Sequence, residues 1–166
     1  MASEPLIRQA TPQDAEAVSD ILKEAARWLE ESGMPMWREE EMDVQRTLPD
    51  INAGLFFVAE YSGNPAGTMK FQMDDSVVWP DARPQEATYI HRLAVRRRYA
   101  GTGLSQALLQ WSVKQTQLIG RPYLRLDCHT LRPRLRAIYE NFGFRHHSDV
   151  LVGNLHLSRY EYDVSK

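Results

Sequence analysis

The sequence predicts an α/β domain with a mixed sheet. Extended segments alternate with helical ones through the middle of the chain, which argues for parallel strands joined by helices. A hairpin pattern near the centre and two extended segments at the C-terminus add antiparallel pairing. A length of 166 residues suits one domain over 1–166, and 43% hydrophobic with 25% charged residues is an ordinary globular composition.

Thr11-Pro12 marks a helix start, since threonine can cap free amides and proline is tolerated in the first turn. Ala15, Val18, Ile21, Leu22, Ala25 and Leu29 then follow at three- and four-residue spacing, and the helix should end near Gly33. The charged stretch from Arg38 to Asp50 has room for a short second helix. Leu55 to Tyr61, the turn cluster Ser62-Gly63-Asn64-Pro65 and Ala66 to Met73 form the hairpin pattern. Pro80 and Pro84 oppose regular structure between Asp74 and Gln85.

Thr88 to Val95 reads as a strand. A helix follows, with Leu104, Ala107, Leu108, Trp111 and Leu118 on one face and a stop near Gly120. Tyr123 to Asp127 is a further strand. Pro133 opens a helix with Leu135, Ile138, Tyr139 and Phe142 as its apolar face, and Gly143 closes it. Phe144 to Val152 and Leu155 to Asp163 are extended around Gly153-Asn154.

The loop Arg96-Arg97-Arg98-Tyr99-Ala100-Gly101-Thr102-Gly103-Leu104 joins a strand to a helix. Its glycines let the backbone approach a ligand, and the amides and positive dipole end of the helix favour phosphate. It lacks the Gly-Lys-Ser/Thr of a Walker loop, and Gln106 stands where a Rossmann fingerprint needs Gly or Ala. What remains is a general anion loop, a pattern that a tight turn also produces.

Arg98-Tyr99-Ala100-Gly101-Thr102-Gly103 resembles the coenzyme A signature Arg/Gln-x-x-Gly-x-Gly/Ala of the GCN5-related N-acetyltransferases. Leu93-Ala94-Val95 before it is similar to that family's strand end. Tyr139-Glu140-Asn141-Phe142-Gly143-Phe144 resembles its second block, Tyr-Glu-x-x-Gly-Phe. With the N-terminal strand and long helix, the resemblance covers nearly the whole chain. It implies a mostly antiparallel mixed sheet of six to seven strands, with a splayed parallel pair and about four helices. Acetyl-CoA would be the cosubstrate, its pantetheine held by backbone near Leu93, Ala94 and Val95 and its diphosphate by amides from Arg98 to Leu104. Where many relatives carry Asn before Pro133, this chain has Arg132, so no cofactor role is transferred to it.

Direct attack by an amine on a thioester needs a base, a donor for the carbonyl oxygen and a donor for the departing thiolate. The resemblance places Tyr139 near the cofactor sulfur, as a donor to the thiolate. His91 and Tyr89 share a strand face and are the candidates for the base, ahead of Glu86, Asp127 and His129. A backbone amide near Val95 would polarise the carbonyl. Trp28, Met34 and Trp37, with Met36, would wall the acceptor pocket; each of these side chains also suits a core.

A net charge of -2 without a basic tail argues against nucleic acid and against highly basic substrates, so a small primary amine is the expected acceptor rather than a protein Nα-amine or lysine. No run is apolar enough for a membrane span and the N-terminus has no signal-peptide core, so a cytoplasmic protein is expected. The one cysteine, Cys128, reads as a buried strand residue. His146 and His147 are adjacent and no Cys/His ligand spacing recurs, so no metal is expected. A homodimer is left open. The competing functions are a non-catalytic acyl-CoA-binding or regulatory domain and a nucleotide-binding interaction domain.

Overall fold

The computed structural model describes residues 4–166. Seven strands, β1 (Leu6–Gln9), β2 (Phe56–Tyr61), β3 (Asn64–Gln72), β4 (Ala87–Val95), β5 (Tyr123–His129), β6 (Arg145–Val152) and β7 (Leu155–Asp163), form one mixed sheet in the order β1-β2-β3-β4-β5-β7-β6. Four helices accompany them: α1 (Ala15–Glu31), α2 (Val44–Asn52), α3 (Leu104–Ile119) and α4 (Pro133–Phe142). Only β4 and β5 pair in parallel, through Ala87, Thr88 and Tyr89 opposite Tyr123, Leu124 and Arg125. The recorded ladder stops there although β4 continues to Val95. No helix among the described residues is long and apolar enough to cross a membrane.

The chain divides into two compact units, residues 1–70 with 92–109 and residues 71–91 with 110–166. In the first, β2 pairs antiparallel with β1 and with β3. Val18, Ile21 and Leu22 of α1 are fully buried with Met42, Ile51, Phe56 and Val58, and Trp37, Val44 and Leu48 pack against that cluster. Thr11-Pro12 does start the helical run, as a single 3₁₀ turn ahead of α1. The Asp14 carboxylate accepts hydrogen bonds from the Thr11 amide and hydroxyl at 2.7 and 3.2 Å. The turn of the hairpin is shorter than its composition suggests. Ser62 and Gly63 alone take positive φ (50° and 79°), a two-residue turn whose twist matches the strands, and Asn64 and Pro65 already belong to β3.

In the second unit β7 is flanked antiparallel by β5 and β6, and Val78, Trp79, Ala87, Tyr89 and Leu157 form its core cluster. Two predicted helix faces need correction. Leu118 is 72% exposed, whereas Ser112 and Thr116 are fully buried. Thr116 donates to the Ser112 carbonyl at 2.7 Å, so Thr88 must donate in the 2.6 Å contact between the Thr88 and Thr116 hydroxyls. Once satisfied in this way, small polar side chains occupy positions that an apolar pattern assigns to leucine. Ile138 on α4 is likewise 49% exposed, while Tyr139 beside it is buried. Helix α4 ends at Gly143 with φ 126°, where a Cβ would lie 2.9 Å from the Tyr162 ring.

Candidate active site

In the first unit the glycine-rich loop is held in place before any ligand arrives. Arg96 reaches Asp20 at 2.7 Å and the Pro65 carbonyl at 3.0 Å, and the Arg97 amide donates to Glu24 at 3.2 Å. The Arg97 guanidinium lies 4.1 Å from the Trp28 ring centre. Arg96 and Arg97 are therefore structural anchors of the loop. Arg98 remains exposed, lying over Tyr99, which stacks on Tyr61 at 5.4 Å.

The amides of Tyr99, Ala100 and Thr102 turn inward to the carbonyls of Arg96, Arg97 and Tyr99. Those of Arg98, Gly101, Gly103 and Leu104 have no acceptor among the described residues, which leaves them for an anion at the head of α3. Gly101 and Gly103 take φ of 78° and 85°, a region costly for residues with a Cβ. Leu93 and Val95 are half-buried and Ala94 is buried.

In the second unit, His91 is held between two carboxylates. Its Nε2 lies 2.7 Å from Asp75 Oδ2 and its Nδ1 lies 3.5 Å from Asp127 Oδ1. The other oxygen of Asp75 accepts the amides of Val77 and Val78 at 3.2 and 3.0 Å. Burial disfavours the Asp75 anion, but the His91 contact and these amides outweigh it and hold the carboxyl below its usual range. A carboxylate acceptor on Nε2 makes that nitrogen the donor, leaving Nδ1 as the nitrogen able to take a proton. Asp127 behaves oppositely: burial, aided by the Asp75 charge and opposed by His91, pushes its carboxyl up to about 6.

The same three residues bring one ligand atom each to within 4.8 Å of one another, a grouping with the donors for a metal ion. It arises from Asp75, in the loop before β4, and was invisible to a search for ligand spacing along the chain. His91 uses its two nitrogens toward different carboxylates, an arrangement suited to proton handling. A metal would take a single nitrogen.

Asp127 also makes a stability prediction. Folded, it keeps its proton up to about pH 6, whereas the ordinary value is 3.8, so its contribution is present below about pH 4 and is lost as pH rises toward 6. Relative to Asp127→Asn, the unsubstituted protein should lose stability over that interval in denaturant titrations. Parallel curves for the two proteins would contradict it. Asp75, shifted down, slopes the other way and is present in both.

Tyr139 is 6% exposed, packed edge-on against Phe144 at 6.0 Å and tilted against Tyr160 at 6.2 Å. Its hydroxyl has no hydrogen-bond partner among the described residues, and burial, with the nearby Cys128 and Asp127, raises its pKa. It therefore stays protonated, a donor without an acceptor. Tyr89 is committed differently: its hydroxyl accepts from Arg125 at 3.3 Å, and Arg125 also holds Glu161 at 2.8 Å and Glu86 at 3.2 Å. Burial opposes the Glu86 anion, but the Arg83 amide at 3.1 Å and then Arg125 outweigh it and hold the carboxyl below its usual range, which makes it a poor base. His129 Nδ1 accepts the Leu131 amide at 3.3 Å. Cys128 is fully buried, and burial raises its thiol to about 11, which leaves no useful thiolate.

Of the residues expected around the acceptor, Trp28 lies beneath Arg97 of the loop, Met34 is 37% exposed after α1, and Trp37 carries the Arg92 guanidinium 5.5 Å from its ring centre. Composition could suggest these aromatic residues but not their arginine partners. Asp75 is the site residue that sequence reasoning missed. Nothing in its local pattern separates it from other loop aspartates.

A mixed sheet with one short parallel ladder, an amide-lined loop at a helix start and a half-buried imidazole between carboxylates define an α/β protein with an anion-accepting loop geometry and an oriented histidine. Residues 22–144 match the model of the acetyltransferase (GNAT) family. The chain is 30% identical over 141 residues, 81% of its length and 78% of the relative's, to the uncharacterized N-acetyltransferase YesJ of Bacillus subtilis (strain 168). Among solved structures it is similar to a GNAT-family acetyltransferase of Listeria monocytogenes 4b F2365, with 26% identity and a TM-score of 0.79 over 96% of this chain and 98% of that one. It also shares its fold with yncA of Salmonella typhimurium, solved with its cofactor acetyl-CoA, at 18% identity and a TM-score of 0.74 over 99% and 96% of the two chains. The chain belongs to the GNAT acetyltransferase family.

Proposed function

We propose that this acyltransferase, folded as one N-acetyltransferase domain, moves an acetyl group from acetyl-CoA to the primary amine of a small molecule by direct attack in a ternary complex. The observation that carries the reading is the His91 imidazole, oriented through Nε2 by Asp75 and left with Nδ1 to accept a proton. The unengaged amides of Arg98, Gly101, Gly103 and Leu104 would receive the diphosphate. Leu93, Ala94 and Val95 would hold the pantetheine along the strand edge. In the reaction the amine nitrogen bonds to the carbonyl carbon, a backbone amide near Val95 stabilises the oxygen that gains charge, and the amine proton passes to His91. The carbon–sulfur bond then breaks, and Tyr139 donates a hydrogen bond to the thiolate. Its phenol holds a proton more tightly than an ordinary thiol, so it stabilises the leaving sulfur without transferring that proton fully.

Thiol release from acetyl-CoA across an amine panel, with mass spectrometry of products, tests the proposal. Saturating acetyl-CoA should raise the melting temperature by several degrees, since ligand at about 100 times Kd adds about 2.7 kcal/mol. Gly103→Ala should weaken that shift by straining the loop. A shift without turnover of any amine would make the protein an acyl-CoA-binding module. A shift with ATP and none with acetyl-CoA would overturn the assignment of the loop.

A further inference from the structure

Some arginines of this protein are tightly paired with carboxylates. Arg8, Arg96, Arg125 and Arg159 each lie within 3.2 Å of a carboxylate oxygen. Arg92 is withdrawn from solvent without such a partner. Its guanidinium is half-buried, with no carboxylate inside 4.0 Å among the described residues. Among the described residues its one hydrogen bond runs from Nη1 to the Met42 sulfur at 3.4 Å, a weak acceptor, and the guanidinium sits near the Trp37 ring. Burial lowers its pKa, with Glu41 and Asp50 acting against that only at longer range.

The backbone is unusual at the same residue. Arg92 lies inside β4 with φ 56°, while the other two non-glycine residues of positive φ, Ser62 and Gln85, fall outside the strands. Such a backbone conformation is strained for a residue with a Cβ, and strain of this kind persists at binding and catalytic positions. Met42 is 1% exposed and belongs to the packed core with Trp37 against it, so the platform beneath the guanidinium is fixed. A desolvated cation on a rigid aromatic and thioether floor, with most of its donors unmet, is a receptor for an anion.

We infer that the acceptor amine carries a carboxylate and that Arg92, seated on Trp37 and Met42, is the group that binds it. The planar guanidinium fork matches a carboxylate bidentately, and it rests on Trp37, one of the residues expected to wall the acceptor pocket. The inference rests on the acetyl-transfer reading above and names the substrate class for it.

The test compares matched amines with and without the carboxylate, such as amino acids and their decarboxylated counterparts, in steady-state acetylation by the full chain. The unsubstituted enzyme should favour the carboxylate-bearing member by at least about tenfold in kcat/KM, the scale of one charge-assisted contact. In Arg92→Met that preference should collapse, chiefly through KM, and Arg92→Lys should restore part of it. Equal preference in the unsubstituted enzyme, or equal loss for both members of each pair, would overturn the inference. So would a loss of acetyl-CoA affinity in Arg92→Met, which would assign the arginine to the cosubstrate. Binding of the same amines to the enzyme saturated with coenzyme A, read by calorimetry, separates the two levels. Arg92-dependent binding without turnover sustains the carboxylate site and sinks the catalytic reading, while absence of any carboxylate preference in binding sinks the site itself.

Discussion

Tyr139→Phe is expected to lower kcat by about 100-fold or more while leaving acetyl-CoA affinity and melting temperature close to those of the unsubstituted enzyme. The ring is held by Phe144 and Tyr160, and phenylalanine keeps those contacts. The hydroxyl has no hydrogen-bond partner among the described residues, so its removal orphans none of them. What disappears is the donor available to a thiolate. Equal kcat for the two proteins in pre-steady-state and steady-state assays would reduce Tyr139 to a packing residue.

The second large effect is expected at His91. His91→Gly should reduce kcat/KM by about 100- to 10,000-fold, and imidazole added to the solution should restore part of the rate. Rescue follows from the surroundings: Asp75 keeps its two amide donors at Val77 and Val78, so a free imidazole finds an oriented carboxylate to dock against. A rate loss that imidazole cannot recover, with acetyl-CoA binding intact, would point to Asp127 as the base, a role its pKa of about 6 permits.

The sequence carried the succession of strands and helices because turn residues and apolar periodicity are local. Pro12, Gly120, Pro133 and Gly143 mark helix ends within a residue or two of where the chain turns. Errors arose where burial was decided by partners distant in sequence. Thr116 is buried because Thr88 supplies a hydroxyl from another element, and Leu118 is exposed because that face already has its occupants. The candidate site divides along the same line. The amide-lined loop is continuous in sequence and could be read directly, as could Tyr139 as a candidate through its motif and His91 through its strand face. Asp75 and the carboxylate-free surroundings of Arg92 exist only after the chain has folded.

The anchoring of the loop has one further consequence. Asp20, Glu24 and Trp28 recur every four residues on α1, so a single helix face meets the Arg96 guanidinium, the Arg97 amide and the Arg97 guanidinium in turn. A ligand arriving at the amides of Gly101 and Gly103 meets a backbone whose conformational freedom was surrendered during folding. Association then costs little ordering of the protein, and affinity follows from the fit of the anion rather than from recruitment of a mobile segment. Trp28, named among the walls of the acceptor pocket, is also a splint for the loop through Arg97.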